Sequence, residues 1–350
     1  MTTIYDPHHP LYLDEADTRK ELERVYDLCH GCRLCFKFCP SFPTLFDYID
    51  QHDDQDAGKM TPAQQDHVAD ECFQCKLCYI NCPYIPSLHE WALDFPRLML
   101  RTDAMRRANG HMSTRNKVTT AVMGRTDALG KAATSVSVVT NVVMGAKPGS
   151  LIRKVVEKTA GISSVRMLPP FAKTRFSTWF KRRPKIRLNN PKAKVAVFPT
   201  CLVEYQDPSI GQDLIKVYEH NGIECTIADN AACCGAPYLH SGDMATFTKV
   251  AAKNVANLAA EVRKGNDIVV PQPTCSYVLK KDYLDYVGGP DAQLVSENTY
   301  DAAEYLMKIH KTEGQSLELD FKGHVPETIT YHTPCHLRAQ NIGLKSRDLM

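Results

Sequence analysis

"CHGCRLCFKFCP", Cys29 to Pro40, and "CFQCKLCYINCP", Cys72 to Pro83, write one pattern twice. Each copy places Cys at its first, fourth, seventh and eleventh positions and closes on Pro. Core packing needs no such periodicity, and a disulfide framework would not repeat its spacing so faithfully. The run C-x2-C-x2-C-x3-C-P suits iron and sulfide: three thiolates hold one cluster, and the fourth ligates a second. Two copies allow a reciprocal exchange. Cys29, Cys32, Cys35 and Cys82 then hold one 4Fe–4S cluster, and Cys72, Cys75, Cys78 and Cys39 hold the other. Zinc prefers two C-x2-C pairs across a longer loop. Disulfides suit small secreted chains, whereas these 350 residues open MTTIYDPHHPLYLDEAD, without an apolar leader.

Composition is that of a folded multidomain protein, 43% hydrophobic and 23% charged, and its 14 Cys imply a reducing, cytoplasmic compartment. The net charge of +2 conceals a division. From Arg101 to Arg187, 19 Lys and Arg stand against three acids (Asp103, Asp127, Glu157), a net +16. A basic middle between acidic ends addresses an anionic surface. The uncharged run Ala132 to Ala146 has 15 residues, too short and too rich in Ser, Thr and Asn to span a bilayer, which needs about 20 apolar residues. In "FAKTRFSTWFKRRPKIR", Phe176, Trp179 and Phe180 fall at helical spacing beside Lys181, Arg182 and Arg183. These are the parts of an interfacial helix on anionic lipid; docking onto a partner subunit or onto the protein's own core are the alternatives. No nucleic-acid recognition fold accompanies the charge.

From Lys194 the pattern becomes strand–helix–strand. "VAVFPTC" (195–201), "IECTIAD" (223–229) and "DIVVP" (267–271) read as strands, with a helix from about Asp207 to His220 and a long one over 243–265 between them. That alternation predicts a parallel sheet, whose ligands gather beyond the carboxyl ends of its strands. The cysteines fall there: Cys201, then Cys233 and Cys234 before Gly235, then Cys275. Cys225, inside a strand, reads as a core thiol. "ITYHTPC" (329–335) mirrors "VAVFPTC", so Cys335 opens a second copy. The first copy runs 74 positions from Cys201 to Cys275, more than remain before Met350, so the second is expected to be truncated and the chain a fragment. His332 and His336 beside Cys335 read as locally hydrogen-bonded, with a ligand or proton-donor role as the alternative. "GRTDALGK" (124–131) lacks phosphate-loop spacing, and no dinucleotide or flavin signature is present.

A Cys, a Cys-Cys-Gly about thirty positions on, and a Thr-Cys-Ser after that resemble the cysteine-rich CCG domain. It occurs twice in heterodisulfide reductase catalytic subunits and in iron–sulfur subunits of several flavin dehydrogenases. Over nearly the whole chain, the order of two ferredoxin-type runs, "FSTWFKRR", "GQDLIKVYE", "CCGAP" and "YHTPCH" resembles the iron–sulfur subunit family of the anaerobic glycerol-3-phosphate dehydrogenases. The resemblance implies a third iron–sulfur cluster on Cys201, Cys233, Cys234 and Cys275, with Cys335 beginning the corresponding set of the second repeat. One departure stands out. A full CCG motif ends in C-x2-C, and Gln272 occupies the first Cys of that pair. A noncubane cluster, a cubane and a metal-free lobe all stay open.

The expected architecture is an α+β multidomain chain. Residues 1–110 form an α-helical dicluster ferredoxin-type domain, 111–190 a basic amphipathic helical linker, 191–325 the first CCG domain with a parallel sheet, and 326–350 the start of a second. The expected function is electron transfer, because clusters move electrons and leave substrate choice to others. A partner flavoprotein would carry the catalytic site and oxidise glycerol-3-phosphate, D-lactate, glycolate or 2-hydroxyglutarate. Electrons would pass through the two 4Fe–4S clusters to a membrane quinone, the chain lying on the inner face of the cytoplasmic membrane. The alternatives are a thiol–disulfide reductase of the heterodisulfide reductase type, which Gln272 disfavours, and an electron donor to a rubrerythrin-type peroxide reductase. The residues assign no catalytic group.

Overall fold

The computed structural model describes residues 5–186, 188–228, 231–320, 323 and 326–350. The chain divides into two compact units assembled from discontinuous segments. One comprises Met1–Lys117, Ala236–Thr248 and His332–Leu344; the other comprises Val118–Gly235, Lys249–Tyr331 and Lys345–Met350.

The first unit is helical. Helix α1 (Glu15–Cys32) starts at Asp14, whose carboxylate accepts from the Asp17 amide, and stops where Arg33 turns left-handed at φ 52°. Cys29 and Cys32 therefore sit on its last turn. Pro40 launches α2 (Ser41–Asp50) immediately after Cys39. A capping box of Thr61 and Gln64, with Pro62 at the first position, starts α3 (Pro62–Asp70), which delivers the chain to Cys72. The second run carries α4 (Leu77–Asn81) and ends at Cys82, and α5 (Phe95–Ala108) follows. Leu22, Val25, Tyr26, Phe42, Phe46, Leu98 and Met99 make the core, with Cys29, Cys35, Cys39, Cys72 and Cys82 packed against it. Each large apolar side chain so buried contributes about 1.5–3 kcal/mol. Residues 236–248 close onto α5, where Arg107 pairs with Asp243 at 3.0 Å. Gly242, at φ 72°, allows this approach: a Cβ there would stand 2.3 Å from the Asp103 carbonyl oxygen.

The second unit holds a four-stranded parallel sheet of order β2-β1-β3-β4, from β1 (Ala193–Val197), β2 (Ile223–Ile227), β3 (Asp267–Val270) and β4 (Thr299–Asp301). Val195 is opposite Cys225 on one side and Asp267 on the other. The helices Pro208–His220 and Met244–Arg263 make the two expected crossovers. β4 has three residues, too few to show periodicity in the sequence. Asp229, the expected last residue of the second strand, lies outside the described residues. Cys225 is a buried core thiol, as expected.

Before the sheet come α6 (Thr114–Gly124), α7 (Thr126–Ser135), α8 (Ser137–Met144), α9 (Leu151–Ala160) and α10 (Phe176–Arg182). Helix α10 corrects the interfacial reading of its aromatics. Phe176 is fully buried, and Trp179 and Phe180 pack with it onto the core that includes Val195, Val203 and Ile215. Arg183 is tied to Glu219 at 2.7 Å and stacks on the Phe180 ring. Arg187, the end of the basic stretch, lies outside the described residues. Apolar exposure lies instead on α8 and α9, where Val138, Val139, Val142, Leu151 and Val155 all face out. Among the described residues no helix is long and apolar enough to cross a membrane.

The mirrored segment "ITYHTPC" forms no strand, since no neighbouring strand among the described residues extends the sheet to it. Its local geometry still repeats. Cys201 opens the helix Cys201–Tyr205 after an extended Thr200, and Cys335 opens Cys335–Ala339 after an extended Pro334.

Candidate iron–sulfur sites

In the helical unit, the last turn of α1, the loop after it and the end of the second run bring Cys29, Cys32, Cys35 and Cys82 to one cavity. Its other walls include Leu28, Leu34, Phe42 and Leu93. Three of these thiols belong to the first run and one to the second. The complementary group forms around the second run. Burial pushes the Cys72 thiol up to about 12; Cys39 and Cys75 add to the rise, while the Gln74 amide and Lys76 oppose it. Burial also raises Cys39, with Cys75 adding to it, and raises Cys78, with Cys72 foremost among the thiols that add. Cys39 thus neighbours Cys72 and Cys75 of the second run as well as Cys35 of its own.

Such crowding is unfavourable for free thiolates and favourable once a cationic inorganic core neutralises them. A cubane distributes its four ligands over four irons, so its thiols need not converge on one point. Among the described residues, no three His, Cys, Asp or Glu side chains converge tightly enough to hold a single metal ion. The donor sets and the apolar walls fit 4Fe–4S clusters.

In the sheet unit, the carboxyl ends of β1, β2 and β3 carry Cys201, the Cys233–Cys234 pair and Cys275. The four thiols neighbour one another in the order Cys201, Cys233, Cys234, Cys275, with Cys201 and Cys234 donating to Cys233. Hydrogen bonds from the Cys201 and Cys234 thiols, then from the Gly235 amide, shift Cys233 below the usual thiol range. Cys201 and Cys234 are displaced upward, each first by its hydrogen bond to Cys233. Gly235 sits at φ 90°, a conformation that favours glycine and turns its N–H back to Cys233. Gln272 stands beside the row, its Oε1 accepting from the Cys275 thiol at 3.4 Å. Cys335 belongs to the other compact unit, where His336 Nε2 meets the Gln74 carbonyl at 2.8 Å and His332 is exposed.

The shell around the row contains residues that sequence reasoning did not select. Asp127 accepts from the Cys233 amide at 2.7 Å and from the Tyr205 hydroxyl at 3.1 Å. Asn254 accepts from the Ala232 amide and donates to the Cys233 carbonyl at 3.1 Å; Tyr283 donates to the Cys234 carbonyl at 3.0 Å. Tyr283 follows a π-helical stretch, Val278–Asp282, a feature frequent at functional sites. Asp127 and Thr126 come from "GRTDALGK", noted in the sequence only as a failed phosphate loop. Gly130 in that stretch was the one available signal: a Cβ there would stand 2.6 Å from the Tyr205 ring, so α7 needs glycine to reach the site.

Comparison with known families agrees with both halves. A 4Fe–4S dicluster domain matches residues 21–83, and a cysteine-rich CCG domain matches residues 195–280. By class, the chain is an iron–sulfur protein that joins a dicluster domain to a CCG domain. It is distantly similar to a subunit of the anaerobic glycerol-3-phosphate dehydrogenase of Escherichia coli K12, at 27% identity over 71% of this chain and 61% of that one. It is also similar to a subunit of the fumarate reductase (CoM/CoB) of Methanothermobacter marburgensis, at 29% identity over 46% of this chain and 29% of that one. A third relative is the lactate utilization protein A of Bacillus pumilus, at 31% identity over 41% of this chain and 58% of that one. The chain thus spans less than two thirds of the length of each of these relatives. No solved structure matches.

Proposed function

We propose that this chain is the electron-conducting subunit of a flavin-dependent dehydrogenase complex, with glycerol-3-phosphate as the first candidate for the metabolite its partner oxidises. The observation that carries the reading is the cavity that gathers Cys82 of the second run with Cys29, Cys32 and Cys35 of the first. With Cys39 neighbouring Cys72 and Cys75, this suits two adjacent 4Fe–4S clusters that exchange their fourth ligands. When bound, such clusters accept and release single electrons. The protein's part is to hold eight thiols in two sets, wall them with apolar side chains, and supply a further thiol site on the sheet. Cys201, Cys233, Cys234 and Cys275 hold a third cluster there. A partner flavoprotein delivers the electrons, and a membrane quinone takes them.

Attachment to an anionic membrane surface is part of this reading, and its support is now α8 and α9. Val138, Val139 and Leu151 are each more than two thirds exposed, with Lys147, Lys154 and Lys158 along the same stretch. Apolar side chains with adjoining cations suit the headgroup region of anionic lipid. Helix α9 buries the aliphatic stem and guanidinium of Arg153 on carbonyl oxygens of Ser163 and Arg166, leaving its apolar residues outward.

The test is anaerobic reconstitution of the full chain, followed by iron and sulfide analysis. About eight irons come from the two crossed sets, and the thiol row adds more. Four irons in total, or zinc in their place, would defeat the reading.

A further inference from the structure

The two runs place a cation at the same position, directly after the second Cys: Arg33 in one and Lys76 in the other. Both residues are left-handed, at φ 52° and 64°. Their surroundings differ. Arg33 has a side chain 45% exposed and pairs with Asp50, so solvent and a carboxylate both mute its charge. Lys76 is 4% exposed and donates to the Gln74 amide oxygen at 2.8 Å. Gln74 itself is buried, and its Nε2 donates to Cys72 Sγ at 3.6 Å and to the Pro96 carbonyl at 3.2 Å. In the first run the corresponding residue is Gly31, which offers no side-chain donor.

Charge within a low-dielectric interior acts far more strongly than the same charge in water. Through Gln74 the buried ammonium of Lys76 is linked by two successive contacts to the Cys72 sulfur. Reduction of a cluster adds negative charge, and burial opposes that addition, so a buried cluster without compensation has a low potential. Nearby cations and hydrogen bonds to the ligand sulfurs raise it.

Resting on the cluster assignment above, we propose that Lys76, held by Gln74, is the residue that raises the reduction potential of the cluster on Cys72, Cys75, Cys78 and Cys39. Lys76 offsets burial so that this cluster accepts an electron from the cluster on Cys29, Cys32, Cys35 and Cys82. Each transfer moves one electron from the first cluster to the second, makes or breaks no bond, and requires no proton. The helix Cys335–Ala339, the opening of the second repeat, packs on α4 of this same run. The second run's cluster thus also borders the segment that begins the next thiol set.

The experiment is an EPR-monitored redox titration of the full reconstituted chain, comparing wild type with Lys76→Met, Lys76→Arg and Arg33→Met. Iron content and the presence of both reduced signals in wild type test the cluster assignment separately from the proposal. Lys76→Met is expected to lower one midpoint potential and leave the other nearly in place. Lys76→Arg restores it, and Arg33→Met shifts either midpoint by much less. Unchanged midpoints in Lys76→Met, or an Arg variant that behaves like Met, overturn the proposal. Should Lys76→Met lose iron, Gln74→Leu provides a second reading. It removes the Cys72 hydrogen bond and the tether on Lys76, and it must lower the same midpoint.

Discussion

Replacing Asp127 by Ala tests whether the helix before the sheet is part of the thiol site. In the wild type the carboxylate receives the Cys233 amide at 2.7 Å and the Tyr205 hydroxyl at 3.1 Å. Cys233 is buried, so Ala leaves its N–H without an acceptor from α7. A hydrogen bond to a charged group contributes about 1.5–3 kcal/mol, and stranding a buried donor costs a similar amount. With a urea slope of about 1–3 kcal/mol per molar, a loss of about 2 kcal/mol moves the unfolding midpoint by about 1 M. Trp179 packs on the core of the sheet unit and reports its unfolding, provided Trp91 in the other unit is first changed to Phe. Asp127→Asn keeps an oxygen acceptor for the amide and loses only the charge, so its midpoint should fall less than half as far. Equal midpoints for Asp127→Ala and the Trp91→Phe background would refute the argument that α7 secures the Cys233 loop.

Crossed ligation predicts that Cys39→Ser abolishes the EPR signal of the cluster beside the second run, while Cys82→Ser abolishes that beside the first; the opposite pattern would undo the pairing. Phe176→Ala should destabilise the sheet unit by about 3–5 kcal/mol, read from Trp179 fluorescence, because it empties a fully buried aromatic site. Changing Val138, Val139 and Val142 together to Ser should barely alter that stability and should abolish sedimentation with anionic vesicles. Unaltered sedimentation of this triple variant would place the lipid contact elsewhere.

How far the sequence could be read follows from how local each signal is. The dicluster domain was legible because ligand spacing within a dozen residues constrains the chemistry. The sheet thiols were legible because each follows a hydrophobic strand, where parallel sheets build their sites. Phe176, Trp179 and Phe180 misled because i, i+3, i+4 aromatics beside cations have the same spacing on a membrane and on a core. Glu219, which neutralises Arg183, lies 36 residues away and leaves no periodic trace. Asp127 was hidden for the same reason, being 106 residues from Cys233. Lys76 and Arg33 hold the same place in their runs, and the burial that separates them is not written in the motif itself.

From Val118 on, the basic stretch before the sheet is better understood as a wall of the second unit than as a tether. The Asn141 amide clamps Phe171 through both backbone groups, at 2.9 and 2.8 Å, and the Ala172 amide donates to the Tyr205 carbonyl at 2.8 Å. Tyr205 in turn bears on Gly130 and Asp127 of α7, and Asp127 holds Cys233. Helix α8 continues directly from α7, with the Thr140 hydroxyl donating back to the Ala133 carbonyl at 3.1 Å. A flexible tether would leave its charge free to sample any orientation. A packed wall instead fixes Val138, Val139 and Val142 on the same body as the thiol row, so a surface bound by α8 would meet that row in one defined orientation. Electron transfer weakens steeply with distance, and a fixed orientation is therefore a functional gain that net charge alone would not supply.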